Sequence, residues 1–245
     1  MDGTMIHIRE EGWKELKVGS VFDVEVRPTL DPQTGDMVEL AHTVNNSYVA
    51  HLGGPRIFGQ MVWAEAQRRG WEQAPESEVL GDGATWIWNL AAEHFYDSYQ
   101  IVDWYHATEH LAAGARLLKG EGTPAAKRWF NAHETILFQG HAGWIAQVLT
   151  TAAQSQPAVA EELEKEAGYF RNNKRRMNYL EMRQEGWAIG SGMVESAAKQ
   201  FKARFTGPGM RWSRDGAERL LPVRAAIMSG RFEKLWQKAY SLPPN

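Results

Sequence analysis

The chain has 245 residues, a net charge of −3 and no cysteine. A chain this long buries a core without covalent staples, and the lack of thiols excludes disulfide scaffolds, zinc ribbons and cysteine nucleophiles. No apolar run approaches the roughly 18 residues of a membrane span, and Met1-Asp2-Gly3-Thr4 does not read as a signal peptide, so the expected compartment is the cytoplasm with no membrane partner.

The charge is segregated. Residues 171–240 hold 15 Lys/Arg against 6 Asp/Glu, whereas the remainder holds 12 against 24. A basic segment on an acidic body suits a polyanion partner, and equally a solvated helical surface.

In chain order, Ile6 and Ile8 alternate with polar residues. A second alternating run carries Val18, Val21, Val24 and Val26, a Pro/Asp/Gly turn spans Pro28 to Asp36, and a third run goes from Met37 to Leu52. This pattern predicts an antiparallel meander. A helix is expected over 56–70. Glu78-Val79-Leu80-Gly81-Asp82 and Tyr99-Gln100-Ile101-Val102-Asp103 are short apolar runs ending in Asp, each followed by a helix, which predicts a parallel strand pair. From Trp104 to Gly186 the pattern is helical, with Pro124 and Pro157 at first-turn positions. Gly190-Ser191-Gly192 opens a helix from Met193 to about Phe205, and Ser213 caps another toward Met228.

Asp2 and Asp82 each stand at a strand end beside a glycine, and Glu195 lies in a first helical turn. Carboxylates at strand ends converge at the edge of an α/β sheet, and three of them suit a pair of Mg²⁺ ions. Taken singly, each acid also fits a turn or helix-dipole role.

The blocks Asp2-Gly3-Thr4, Gly12-Trp13-Lys14-Glu15, Leu80-Gly81-Asp82-Gly83-Ala84-x-Trp86, Asp103-x-x-His106, Gly190-Ser191-Gly192-x-Val194-Glu195-Ser196 and Gly209-Met210-Arg211-Trp212-Ser213 follow one another in that order. Together they resemble the catalytic region of bacterial insertion-sequence DDE transposases of the ISKra group, related to the Mutator superfamily. The resemblance implies an α/β, RNase H-like mixed sheet of order 3-2-1-4-5 with a large helical insertion. Residues 1–103 would form the sheet part, 104–190 the insertion, and 191–240 the catalytic helix and basic segment closing the domain. It assigns Asp2, Asp82 and Glu195 as catalytic and metal-binding residues for two Mg²⁺ (or Mn²⁺) ions. The implied activity is DNA phosphodiester cleavage and strand transfer on transposon ends and target DNA, by a homodimer on DNA.

Asp103 and His106 match the D-x-x-H signature of that superfamily. For His106, an outer role behind the metal ligands or a DNA contact, a structural hydrogen bond and a metal ligand all remain open, and His110 reads as structural or surface. Arg175, Lys199, Lys202, Arg204 and Arg211 are candidate phosphate contacts. Trp212, with Trp187 beside it as a second choice, is a candidate for stacking on an unpaired base. Members of the group carry an end-binding region before the first aspartate, so a chain starting at Met1 is expected to be marginally stable and without end-specific activity alone. The alternative reading is a silent remnant that binds DNA or dimerises as an inhibitor.

Overall fold

A computed structural model describes residues 1–30, 35–190 and 192–241, with the side chains of 192–195 outside that description. The protein is a mixed α/β molecule, mainly helical, with two small sheets. Strands β1 (Asp2–Ile8), β2 (Gly12–Leu30) and β3 (Met37–Leu52) form an antiparallel meander in the order β1-β2-β3. Helix α1 (Pro55–Arg68) follows, then β4 (Glu78–Gly81), α2 (Thr85–His94) and β5 (Tyr99–Val102), with β4 and β5 parallel.

Helices α3 (Trp104–Lys119), α4 (Pro124–Phe138), α5 (Ala142–Ser155), α6 (Ala160–Asn173) and α7 (Tyr179–Gln184) fill the expected helical stretch. Pro124 starts α4, where its missing N–H costs nothing, and the Thr123 hydroxyl caps the turn by accepting from the Ala126 amide. Helices α8 (Gly192–Phe205), α9 (Arg214–Met228) and α10 (Phe232–Ser241) complete the chain. Ser213 caps α9 as its position implies, by accepting from the Gly216 amide. Helix α10 was not distinguished in the sequence.

A hydrogen bond ties the two sheets together. The Met1 nitrogen donates to the Leu80 carbonyl across 2.7 Å, in a buried hydrogen bond that sets the start of β1 beside β4. The ladders otherwise run separately as β1-β2-β3 and β4-β5.

Two apolar clusters flank the sheets. Ile6, Ile8, Leu16 and Val18 pack with Phe201 and Phe205 of α8 and Leu221 of α9. On the other side, Leu80 and Ile101 of the parallel pair join Phe58, Ile87, Leu111, Leu149 and Phe170 in one continuous cluster. The helices of residues 104–190 therefore share a core with β4 and β5.

Strand β2 is longer than its pattern suggested. It continues through Pro28, which pairs with Glu39, to Leu30. Among the described residues it pairs beyond Val18 only with β3, so Pro28 removes no hydrogen bond from a second described neighbour. The register shifts between Val21 and Asp23. Opposite it, Asn45 takes a left-handed φ of 52°, and the Arg69 guanidinium brackets the irregularity by donating to the Asn45 carbonyl and, at 2.8 Å, to Asp23.

Candidate functional site

Alternation along β1 puts Asp2 on the face that carries Ile6 and Ile8, the face covered by α8. Asp2 Oδ1 accepts from the Gly3 amide at 2.6 Å. Burial pushes the Asp2 carboxyl above the usual carboxylate range, and the charge of Asp82 adds to the rise. The Met1 amine, His106 and the Gly3 amide pull the other way without cancelling it. Two acids distant in sequence are thus brought into electrostatic contact where β1 and β4 adjoin.

Asp82 follows the last residue of β4. Its Oδ1 accepts from the Ala84 amide at 2.8 Å, closing a turn that leads into α2. Gly83 makes that turn with φ +101°, a conformation L side chains rarely adopt.

Asp103 is 2% exposed and caps α3, its Oδ1 accepting from the amides of Tyr105 at 2.8 Å and His106 at 3.2 Å. His106 Nδ1 lies 3.4 Å from the same oxygen. That bond, reinforced by the charges of Asp103, Asp2 and Asp82, outweighs burial and raises the imidazole to about 9. His106 is therefore a cation at neutral pH, set beside Asp2 and Asp82. In that form His106 is a charge partner of the carboxylates. His110 is structural: it bonds Glu166 at 2.6 Å and stacks on Tyr169 at 3.6 Å between ring centroids.

Glu195 falls in the first turn of α8, and its side chain lies outside the described residues. Among the described residues no three His, Asp or Glu side chains form a metal-holding group. What is described of the expected triad is the pair Asp2 and Asp82.

Helix α6 adds residues that the sequence reading missed. Tyr169 donates its hydroxyl to the Asp82 carbonyl at 3.0 Å. Asn173, 3% exposed, donates to the Gly83 and Tyr169 carbonyls and accepts from the Trp88 indole at 3.0 Å. A signal did exist: Asn173 extends the stripe of Leu163, Ala167 and Phe170, a polar residue where the helical period calls for an apolar one.

The basic residues of 171–240 divide into two kinds. Arg175, Lys199, Lys202, Arg204 and Arg211 have exposed side chains. Arg176 turns inward, bonding Gln100 at 2.8 Å and lying 4.6 Å from the Trp88 ring centre. Arg214 is held by Glu11 and Glu218 and also donates to the Leu52 carbonyl. Trp212 is half-buried: its indole donates to the Phe205 carbonyl at 3.1 Å, and its own carbonyl accepts from the Arg9 amide at 2.8 Å. The Trp187 indole donates to Glu185, and its ring packs 4.5 Å from that of Tyr99.

No protein-family model, curated protein or solved structure matches this chain.

Proposed function

We propose that this chain carries the catalytic core of a DDE-type DNA transposase, cutting and joining phosphodiesters with divalent metal. The reading rests on one observation: Asp2 and Asp82, eighty residues apart, share an electrostatic environment where the start of β1 adjoins β4. The β1-β2-β3 and β4-β5 ladders, joined through the Met1–Leu80 bond, support an RNase H-like order 3-2-1-4-5.

The donor chemistry fits Mg²⁺ or Mn²⁺. Asp2 and Asp82 offer hard carboxylate oxygens, and these ions need only one or two carboxylates besides water and substrate phosphate. Asp2 is a carboxyl held above its ordinary range by burial and a like charge, a condition that a bound cation relieves. In this reading Asp2, Asp82 and Glu195 hold two ions. When bound, such ions activate the attacking oxygen and stabilise the leaving one.

The chain's own residues supply the rest. Asp103 fixes the His106 ring, and His106 places a positive charge beside the two aspartates. Lys199, Lys202, Arg204 and Arg211 present exposed cations to DNA phosphates. The partners in this reading are transposon ends and target DNA, with a homodimer pairing two ends in the cytoplasm.

The test is Mn²⁺ binding by calorimetry alongside Mn²⁺-dependent nicking of plasmid DNA. The wild-type chain is expected to do both. Asp82→Asn should lower nicking by more than about 100-fold, beyond the roughly 10–100-fold typical of residues behind the ligands, while leaving DNA affinity unchanged. Equal nicking by the two proteins rejects the proposal.

A further inference from the structure

Helix α6 reaches across the helical region to touch the Asp82 turn. The Tyr169 hydroxyl meets the Asp82 carbonyl at 3.0 Å, and Asn173 Nδ2 meets the Gly83 carbonyl at 3.4 Å. The same side chains leave no room beside Gly83: a Cβ there would stand 2.6 Å from Tyr169 Cε2 and 3.2 Å from Asn173 Nδ2. Gly83 thus serves two ends. It provides the left-handed conformation of the turn, and it lets the tyrosine ring close over it.

The clamp is itself braced. Tyr169 stacks on His110, which is tied to Glu166 one helical turn before Tyr169. Asn173 is held by the Trp88 indole of α2, the helix that the Asp82 turn leads into. Its amide also bonds the Tyr169 carbonyl at 3.0 Å. The polar groups of Tyr169 and Asn173 that face the turn each meet a backbone carbonyl flanking the Asp82 side chain.

We propose that Tyr169 and Asn173 are positioning residues, which hold the Asp82–Gly83 turn so that the Asp82 carboxylate stays directed to its partner Asp2. The inference rests on the reading of Asp82 as a metal ligand. It gives the helical stretch a task in the chemistry: the geometry of one carboxylate depends on a helix 87 residues away in sequence. Carboxylate ligands work when packing and a supporting layer of hydrogen bonds lock them, and a turn bonded only through its own Asp82–Ala84 contact would lack that lock.

The experiment uses the full chain and Tyr169→Phe, which removes the hydroxyl and keeps the ring against His110 and Gly83. The first readout is hydrogen exchange of the Ala84 amide, which reports the Asp82 Oδ1 bond directly. The second is the dissociation constant for Mn²⁺, with Asp82→Asn setting the floor. Loss of one hydrogen bond is expected to speed Ala84 exchange about 3- to 10-fold and to weaken Mn²⁺ binding by a similar factor, with exchange in β5 unchanged. Unchanged Ala84 exchange overturns the proposal, and so does faster exchange with unaltered Mn²⁺ affinity. A wild-type chain that binds no Mn²⁺ overturns the metal reading. Faster Ala84 exchange in that case still supports the clamp on the turn.

Discussion

His106 Nδ1 lies 3.4 Å from Asp103 Oδ1, the same oxygen that caps the first turn of α3 through the amides of Tyr105 and His106. One buried carboxylate thus starts a helix and holds a ring. The pair should make stability depend on pH. Below about 6.5 the imidazole is protonated in both folded and unfolded chains, and the pair contributes in full. Between 6.5 and about 9 the folded chain keeps a proton that the unfolded chain has released, so stability falls as pH rises. Urea titrations from pH 6 to 9.5 should show this decline, and His106→Gln should make it shallower. An identical slope in both proteins would reject the assignment.

Asp2 shifts stability with pH in the same direction, through the cost of burying its charged form. Its carboxyl is raised on folding, chiefly by burial. Above the unfolded value of about 3.8 the folded chain retains a proton that the unfolded chain gives up. Stability from this group therefore declines as pH climbs from there through the raised folded value. Asp2→Asn is expected to raise the melting temperature in chelator by about 2–4 °C, the shift for about 1 kcal/mol in a chain of this size. The same variant should lose the stabilisation that added Mn²⁺ gives the wild type. A lower melting temperature in chelator counts against the argument.

Gly83→Ala tests the turn from its other side. The substitution meets both a φ of +101° and a Tyr169 carbon 2.6 Å from the new methyl. A loss of about 1–3 kcal/mol is expected from backbone strain alone. Pairing it with Tyr169→Leu should recover part of that loss if the ring is the obstacle, and chemical denaturation of the single and double variants measures the coupling.

The exposed cations of α8 should act on DNA and hardly at all on folding. Lys202→Ala and Arg204→Ala are each expected to reduce the slope of log K against log salt on duplex DNA by about 0.9 if each neutralises one phosphate, with unchanged melts. Arg214→Ala should behave in reverse. Its guanidinium joins Glu11, Glu218 and the Leu52 carbonyl, so its removal should lower stability more than it alters the slope. Equal slopes for wild type and Lys202→Ala would remove Lys202 from the contact surface.

The legible parts of this molecule are those written in short-range pattern. The alternation about Ile6 and Ile8, the Pro124 and Ser213 helix starts, and the Asp-ended runs at Gly81 and Val102 each became the element they imply. Asp103 is a cap for the reason visible in the sequence: an apolar run ends in Asp and a helix begins. Contacts set only by tertiary packing were not legible. Nothing near Tyr169 announces that its hydroxyl meets a carbonyl 87 residues earlier. Charge counting also does not separate exposed cations from held ones, as Arg176 and Arg214 show. Both add to the formal basic balance, yet one lies against Trp88 and the other is neutralised by two glutamates.

The length of β2 carries a cost of its own. From Ser20 to Leu30 its outer side has no strand partner among the described residues, and Val24, Val26 and Leu30 are exposed along it. An open strand edge with apolar side chains is a template for another chain to add to, and folded proteins guard such edges with charge, proline and irregular register. All three are present here: Glu25 and Arg27 pair with each other at the surface, Pro28 withholds a donor, and the shift at Val21–Asp23 breaks the regular ladder. Together these features make the ribbon a poor template for edge-to-edge pairing.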